Sequence, residues 1–283
     1  MSGRSGAETS YRDPVGAAAY AVSVGGWSPY QRMYDLPSPS VVQQTYLIAT
    51  TQRSGSHLLA HALARCGAGI PLEYVNPFLA ELELMERGDN ISDPERIALL
   101  LEIRQRRTTA TGVFGLKAHW HHWEKVITDR TTFEIVNPTT IIHLQRRDLL
   151  AQAVSLALAR RTGSWISFHT TKAGEVGPFN AQLVAEALED ITREQVAWEA
   201  WFEHRRVQPL RLCFEHIVAD PEASAMRAAR HVGVVSAQAR VWTDTGAPLP
   251  QRQRDPVKNE WLARARDQWE STDNPSPRAH CCD

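Results

Sequence analysis

Short apolar runs alternate with amphipathic stretches along most of the chain. Tyr46-Leu-Ile-Ala49, Gly112-Val-Phe-Gly-Leu-Lys117, Thr140-Ile-Ile-His-Leu144 and Leu210-Arg-Leu-Cys-Phe214 are apolar and brief, which predicts four strands. Helical patterns follow them at Leu58 to Cys66, His119 to Ile127, Leu149 to Arg161 and Pro221 to His231, the last with proline in its first turn. A longer amphipathic stretch from Ala181 to His204 gathers Leu188, Ile191, Trp198 and Trp201 on one face. Strands alternating with helices predict an α/β fold with a mainly parallel central sheet covered on both faces. Ligands of such sheets bind at the carboxyl ends of the strands. Chemistry is therefore expected in segments 50–57, 117–123, 145–155 and 214–220.

Outside this alternation the pattern fades. Residues 1–44 are rich in Gly, Ala, Ser and Pro and read as a largely irregular arm, with a short packed segment around Trp27 to Tyr34. Residues 45–270 form the expected single domain, and 271–283 a polar, proline-broken tail.

Composition narrows the function. The 283 residues carry a net charge of −1, with 43% hydrophobic and 22% charged positions, as in ordinary globular proteins. That charge argues against bulk electrostatic binding of nucleic acid. No apolar run approaches the ~20 residues of a membrane span, and the N-terminus lacks a signal-peptide pattern. The four cysteines form no CxxC pair and no Cys/His cluster with zinc spacing, so a reducing cytoplasm is the expected location. Only four of the 31 basic residues are lysine, leaving 27 arginines. Codon bias accounts for most of that excess, but guanidinium also grips phosphate with a rigid fork of donors.

Two segments suit anions. Thr50-Thr-Gln-Arg-Ser-Gly-Ser-His57 lies between a buried strand and a helix, where unpaired N–H groups and the positive end of a helix dipole face one spot. Gly55 permits close backbone approach, Ser54 and Ser56 offer hydroxyls, and Arg53 adds charge. The loop lacks the Gly-Lys-Ser/Thr of a Walker A sequence, which disfavours ordinary ATP chemistry. The same residues also suit a plain strand–helix turn capped by Ser54 or Ser56. In the second segment Arg146 ends a strand and Ser155 follows on the next helix, so both can converge on one phosphate. Arg147 and Asp148 equally suit the start of that helix.

Taken together and in order, Gln52-Arg-Ser-Gly-Ser56, Gly69-Ile-Pro-Leu-Glu-Tyr74, Gly112 to Trp120, Arg146 to Ser155, Thr162-Gly-Ser-Trp165, Ala197 to Phe202 and Arg252-Gln-Arg-Asp255 resemble the bacterial trehalose 2-sulfotransferase family. The likeness spans about residues 45–266. It implies a three-layer sulfotransferase fold with a P-loop-like phosphosulfate loop. It also implies transfer of a sulfuryl group from 3′-phosphoadenosine-5′-phosphosulfate (PAPS) to a carbohydrate-type hydroxyl. By that resemblance Arg53, Ser54, Gly55 and Ser56 cradle the 5′-phosphosulfate, with His57 beside them, while Arg146, Ser155 and Arg252 bind the nucleotide. Arg147 stands where the family has proline, and Arg254 lies beside Arg252, so each pair offers two candidate arginines. Family members are often dimers, which makes a homodimer an expectation.

An attacking alcohol needs a base, and the departing oxygen needs positive charge. Glu73 occupies the position of the family's catalytic carboxylate, with Arg53 and Lys117 as the charges that steady the reacting groups. Ile70 replaces a second glutamate and His57 a threonine, which loosens any inference of trehalose itself as acceptor. Trp120 and Trp165 offer flat faces for a sugar ring, or else pack in the core. His119, His121 and His122 have no accompanying ligand cluster, so no metal is expected. The competing functions are a non-catalytic nucleotide-binding protein and a phosphotransferase with a degenerate phosphate loop.

Overall fold

The computed structural model describes residues 28–36, 40–165, 176–234 and 256–270. Four parallel strands form one sheet in the order β2-β1-β3-β4: β1 (Gln44–Thr50), β2 (Val113–His119), β3 (Thr140–Gln145) and β4 (Leu210–Cys213). All four match the predicted apolar runs to within a residue or two. Strand β1 lies inside the sheet and shows why such strands read as unbroken apolar runs. Leu47 and Ala49 face a cluster containing Leu99, Leu100, Ile103, Trp123 and Trp198. Tyr46 and Ile48 face the opposite one, with Leu59, Leu63, Ala228 and Ala229.

Helices cover both faces. After β1 comes α1 (Ser56–Arg65), then α2 (Pro77–Arg87) and α3 (Asp93–Arg106) before β2. Next are α4 (Trp120–Thr128), α5 (Arg130–Val136), α6 (Leu149–Thr162) and α7 (Ala181–Arg205). Beyond β4 lie α8 (Phe214–Ala219), α9 (Pro221–His231) and α10 (Pro256–Glu270). The pattern did not single out α2 and α3, although Asn76-Pro77 and Ser92-Asp-Pro94 carry start signals and Gly88 a stop. The capping bonds are present for α2: Asn76 Oδ1 accepts from the N–H groups of Phe78 and Leu79 at 3.2 and 3.4 Å.

Helix α7 bridges two clusters. Val184, Ala187 and Ile191 pack with α6 and α10, while Trp198, Trp201 and Phe202 enter the sheet-side core. Trp198 Nε1 also donates to the Thr50 carbonyl at 2.9 Å, which anchors the end of β1 where the phosphate loop begins. Of the expected packed segment Trp27 to Tyr34, Trp27 lies outside the described residues; Tyr30 and Tyr34 are buried, and the buried Arg107 lies over the Tyr34 ring, 5.5 Å from its centroid. Among the described residues Cys66 is a free cysteine. No helix among the described residues is long and apolar enough to cross a membrane.

Candidate active site

Strand β1 ends at Thr50, and the chain turns through two left-handed residues, Arg53 (φ 62°) and Gly55 (φ 87°), before α1 starts at Ser56. Glycine is required at 55 twice over, by its dihedral and because a Cβ there would lie 2.3 Å from the Phe214 ring. Ser54 is fully buried and its hydroxyl lies 2.5 Å from Thr50 Oγ1, which in turn donates to the Leu144 carbonyl at 2.9 Å. Its side chain thus braces the loop from within. Gln152 on α6 supports the loop from outside, donating to Thr51 Oγ1 at 2.8 Å and the Gln52 carbonyl at 2.6 Å.

Arg53 leaves this loop toward α6. Its Nε donates to Ser155 Oγ at 3.1 Å, and a terminal nitrogen donates to the Trp165 carbonyl. Burial and then the nearby Arg146 guanidinium push the Arg53 pKa down to about 10. Arg146 lies over the face of Phe214, 4.8 Å from the ring centroid. Arg147 turns elsewhere: its side chain meets His216 Nε2 at 2.5 Å and its backbone N–H donates to Glu215. Of the two candidate arginines, Arg146 is the one coupled to Arg53.

The second half of the site is built from the edge of β2. Alternation puts Gly115, Lys117 and His119 on the same face as α1. Leu72 forms a parallel bridge with Leu116, and the Lys117 N–H donates to the Leu72 carbonyl at 3.0 Å. That bridge brings Glu73 beside the strand. Lys117 Nζ lies 2.8 Å from Glu73 Oε1, His119 Nε2 3.4 Å and His57 Nε2 4.0 Å. Asn76 Nδ2 donates to Glu73 Oε2 at 3.3 Å. Lys117 also reaches Ser56 Oγ at 3.4 Å, joining the carboxylate to the start of α1.

Burial opposes charge on Glu73, but Lys117, His119 and His57 overcome it and hold the carboxyl well below the ordinary glutamate range. Burial lowers the Lys117 ammonium, against the pull of Glu73. Burial and Lys117 likewise keep His57 well below the usual imidazole value and His61 at about 4. The pair therefore stands as carboxylate and ammonium. Among the described residues no group of three or more His, Cys, Asp or Glu is placed to hold a metal ion. His121 instead bonds Glu194 Oε1 at 2.5 Å.

The structure thus gathers Arg53, Arg146 and Ser155 in one place, and Glu73, Lys117, Ser56 and His57 in the adjoining one. Trp165 takes part through its carbonyl, while its ring packs with the α6–α10 cluster. Trp120 is partly buried, edge-on to Trp198 at 5.1 Å. Arg252 and Arg254 lie outside the described residues. The sequence did not reveal the contributions of Asn76, Gln152 and Phe214. Nor did it reveal Lys258 on α10, whose Nζ donates to Ser155 Oγ at 3.2 Å. Only Asn76 left a local trace, as the residue before a helix-starting proline.

A model of the Stf0 sulphotransferase family matches residues 45–268, a span that includes every described residue of both half-sites. The chain belongs to the Stf0 sulphotransferase family. It is a sulfotransferase. Curated relatives agree. The trehalose 2-sulfotransferase of Mycobacterium tuberculosis is 24% identical over 258 residues, covering 78% of this chain and 94% of the relative. That of Mycolicibacterium smegmatis is 24% identical over 259 residues with the same coverage. The α/β fold with its parallel sheet, expected from the alternation of strands and helices, agrees with this membership.

Proposed function

We propose that this sulfotransferase moves a sulfuryl group from PAPS to a hydroxyl of a carbohydrate or sugar-containing metabolite, with Glu73 as general base. The observation that carries the reading is Arg53, bonded to the Ser155 hydroxyl and close enough to Arg146 to feel its charge, beside a glycine loop at the ends of adjacent strands. Two neighbouring guanidiniums repel one another, and a bound anion turns that cost into attraction. The donor fits this arrangement because it carries two separate anionic groups. The phosphosulfate end belongs with Arg53, Ser56 and the N–H groups of the 53–56 loop. The 3′-phosphate belongs with Arg146 and Ser155.

The donor supplies an activated sulfuryl group, whose bond to the phosphate oxygen breaks as the acceptor oxygen attacks in line. The chain's own residues manage proton and charge. Glu73 takes the hydroxyl proton as the new S–O bond forms. Lys117 touches both Glu73 and Ser56, so it stands between the base and the donor loop, and with Arg53 it offsets charge building on the leaving oxygen. The names of the two mycobacterial relatives favour a sugar acceptor.

Calorimetric titration of adenosine 3′,5′-bisphosphate against ADP tests the donor. Preference for the bisphosphate is expected, and equal or absent binding of both overturns the reading. Incubating cell extracts with labelled PAPS and identifying the sulfated product then names the acceptor. A labelled phosphate product from ATP would favour a phosphotransferase instead.

A further inference from the structure

Glu73 is held by different partners on its two oxygens. Oε1 is the crowded one: Lys117 Nζ lies 2.8 Å away, His119 Nε2 3.4 Å and His57 Nε2 4.0 Å. Among the described residues Oε2 meets the Asn76 amide, whose Nδ2 donates to it at 3.3 Å. Asn76 is buried and stands at the N-cap of α2, where its Oδ1 accepts from the N–H groups of Phe78 and Leu79. Those contacts settle the orientation of the amide. Backbone N–H groups only donate, so the atom they meet is the oxygen, and the atom facing Glu73 is the NH2 group.

The backbone of this segment is fixed independently. Leu72 bridges to Leu116, the Asn76 N–H donates to the Glu73 carbonyl at 3.2 Å, and Tyr30 Oη donates to the Tyr74 carbonyl at 2.8 Å. These bonds leave the carboxylate able to rotate about its own side-chain torsions. The planar amide removes that freedom at Oε2, because it cannot swing away without releasing the first turn of α2. A carboxylate oxygen accepts along two lone-pair directions. At Oε2 the Asn76 bond takes one and leaves the other for a hydroxyl, whereas Oε1 already faces an ammonium and an imidazole.

We infer that Glu73 Oε2 is the oxygen that takes the acceptor's proton, and that Asn76 is the positioning residue that aims it. The inference rests on the reading of Glu73 as the base. In the step, the acceptor O–H bond breaks and an Oε2–H bond forms as the acceptor oxygen bonds to sulfur. The electron pair of the departing S–O bond goes to the donor's phosphate oxygen. Asn76 touches neither reactant. Its N–H bonds the charged form of the carboxylate, which favours that form and keeps the base ionised until the proton arrives.

The test uses the full chain with Asn76→Asp and Asn76→Ser. Aspartate and serine both cap helices well, so α2 should keep its start and melting temperatures should stay close to wild type. Neither restores the amide donor: aspartate sets a second carboxylate against Oε2, and the serine side chain is too short to hold both ends. Initial rates are followed over pH with labelled PAPS and one cell extract as the acceptor source. The Glu73 carboxyl is followed by carbon-13 NMR of glutamate-labelled protein, assigned with Glu73→Gln. In wild type that carboxyl faces Lys117 and His119 of β2 and His57 of α1, with His122 of α4 also acting on it. Asn76→Asp adds a charge of like sign, so the carboxyl titration and the acid limb of the rate profile should both move to higher pH. Rates near neutral pH should fall about ten- to a hundredfold in both variants, the range of one hydrogen bond to a charged group. Adenosine 3′,5′-bisphosphate binding should stay within about twofold, since the loss lies in the chemical step. An unmoved carboxyl titration in Asn76→Asp overturns the inference, whether the rate holds or falls together with the melting temperature; the latter marks a helix cap alone. If Glu73→Gln turns over as wild type, the base reading falls and takes this inference with it. A collapse in Glu73→Gln beside wild-type rates in both Asn76 variants removes this inference and leaves the base standing.

Discussion

Lys117 Nζ lies 2.8 Å from Glu73 Oε1, and the lysine side chain is wholly buried. A charged pair so placed is held by the backbone around it. The Leu72–Leu116 bridge sets Glu73 against β2, and Asn76 holds the other carboxylate oxygen while capping α2. Removing the carboxylate charge should therefore leave the frame standing. Glu73→Gln is expected to bind adenosine 3′,5′-bisphosphate as wild type does while sulfuryl transfer falls by about a hundredfold to ten-thousandfold. Calorimetry beside a labelled-product assay checks both halves, and unchanged turnover would remove Glu73 as the base.

Lys117→Met reads the same pair through pH. In wild type the Glu73 carboxyl is depressed, so its contribution to stability is present above the ordinary glutamate range and lost as pH falls through the folded-state value. Without the lysine, burial dominates and favours the protonated carboxyl. The variant should be destabilised by about 3–5 kcal/mol at pH 7, the usual cost of stranding one partner of a buried pair. Urea unfolding at pH 7 and at pH 4 should show the gap narrowing in acid. A gap that stays constant would mean that Glu73 keeps its charge without Lys117.

Arg146 and Arg147 lie in different places, and the proposed site predicts that they separate by function too. Arg146→Ala should weaken adenosine 3′,5′-bisphosphate by about ten- to a hundredfold, because a charge-assisted contact is lost. Arg147→Ala should bind as wild type, since its side chain lies with His216. Isothermal titration of both variants decides, and the reverse order would reassign the second site.

Gly55→Ala tests the loop. A side chain at φ 87° is strained, and its Cβ would meet the Phe214 ring at 2.3 Å. The cost should be about 1–3 kcal/mol, seen as a melting temperature several degrees lower, together with weaker nucleotide binding. An unshifted melting curve would mean that the loop and the ring move apart freely.

Much of this arrangement was legible in the sequence, and what was missed shares a cause. Strands buried on both faces advertise themselves as apolar runs, and Arg53, Gly55 and Arg146 sit at their ends. Glu73 was legible only through family resemblance, because by itself it reads as a loop carboxylate. What fixes it is the Leu72–Leu116 bridge, a contact between residues 44 positions apart that no local pattern encodes. Lys258 lies 103 positions from Ser155, and its place depends on how α10 docks on α6. Helices α2 and α3 had their start signals, but Leu99, Leu100 and Ile103 give α3 only a narrow buried stripe. Trp120 shows the same limit: an aromatic side chain beside the site suits a platform or the core alike, and no local pattern foretells its edge-on contact with Trp198.

Phe214 touches both anion sites at once, its edge where a side chain at position 55 would have to be and its face beneath Arg146. The ring is flat and incompressible, so it works as a spacer that sets how far the loop stands from the strand-end guanidinium. A bulkier or smaller residue there would change the span between the two sites without altering a single charged group. On the proposed reading, the distance between the donor's two anionic ends is set by an apolar ring rather than by a charged group.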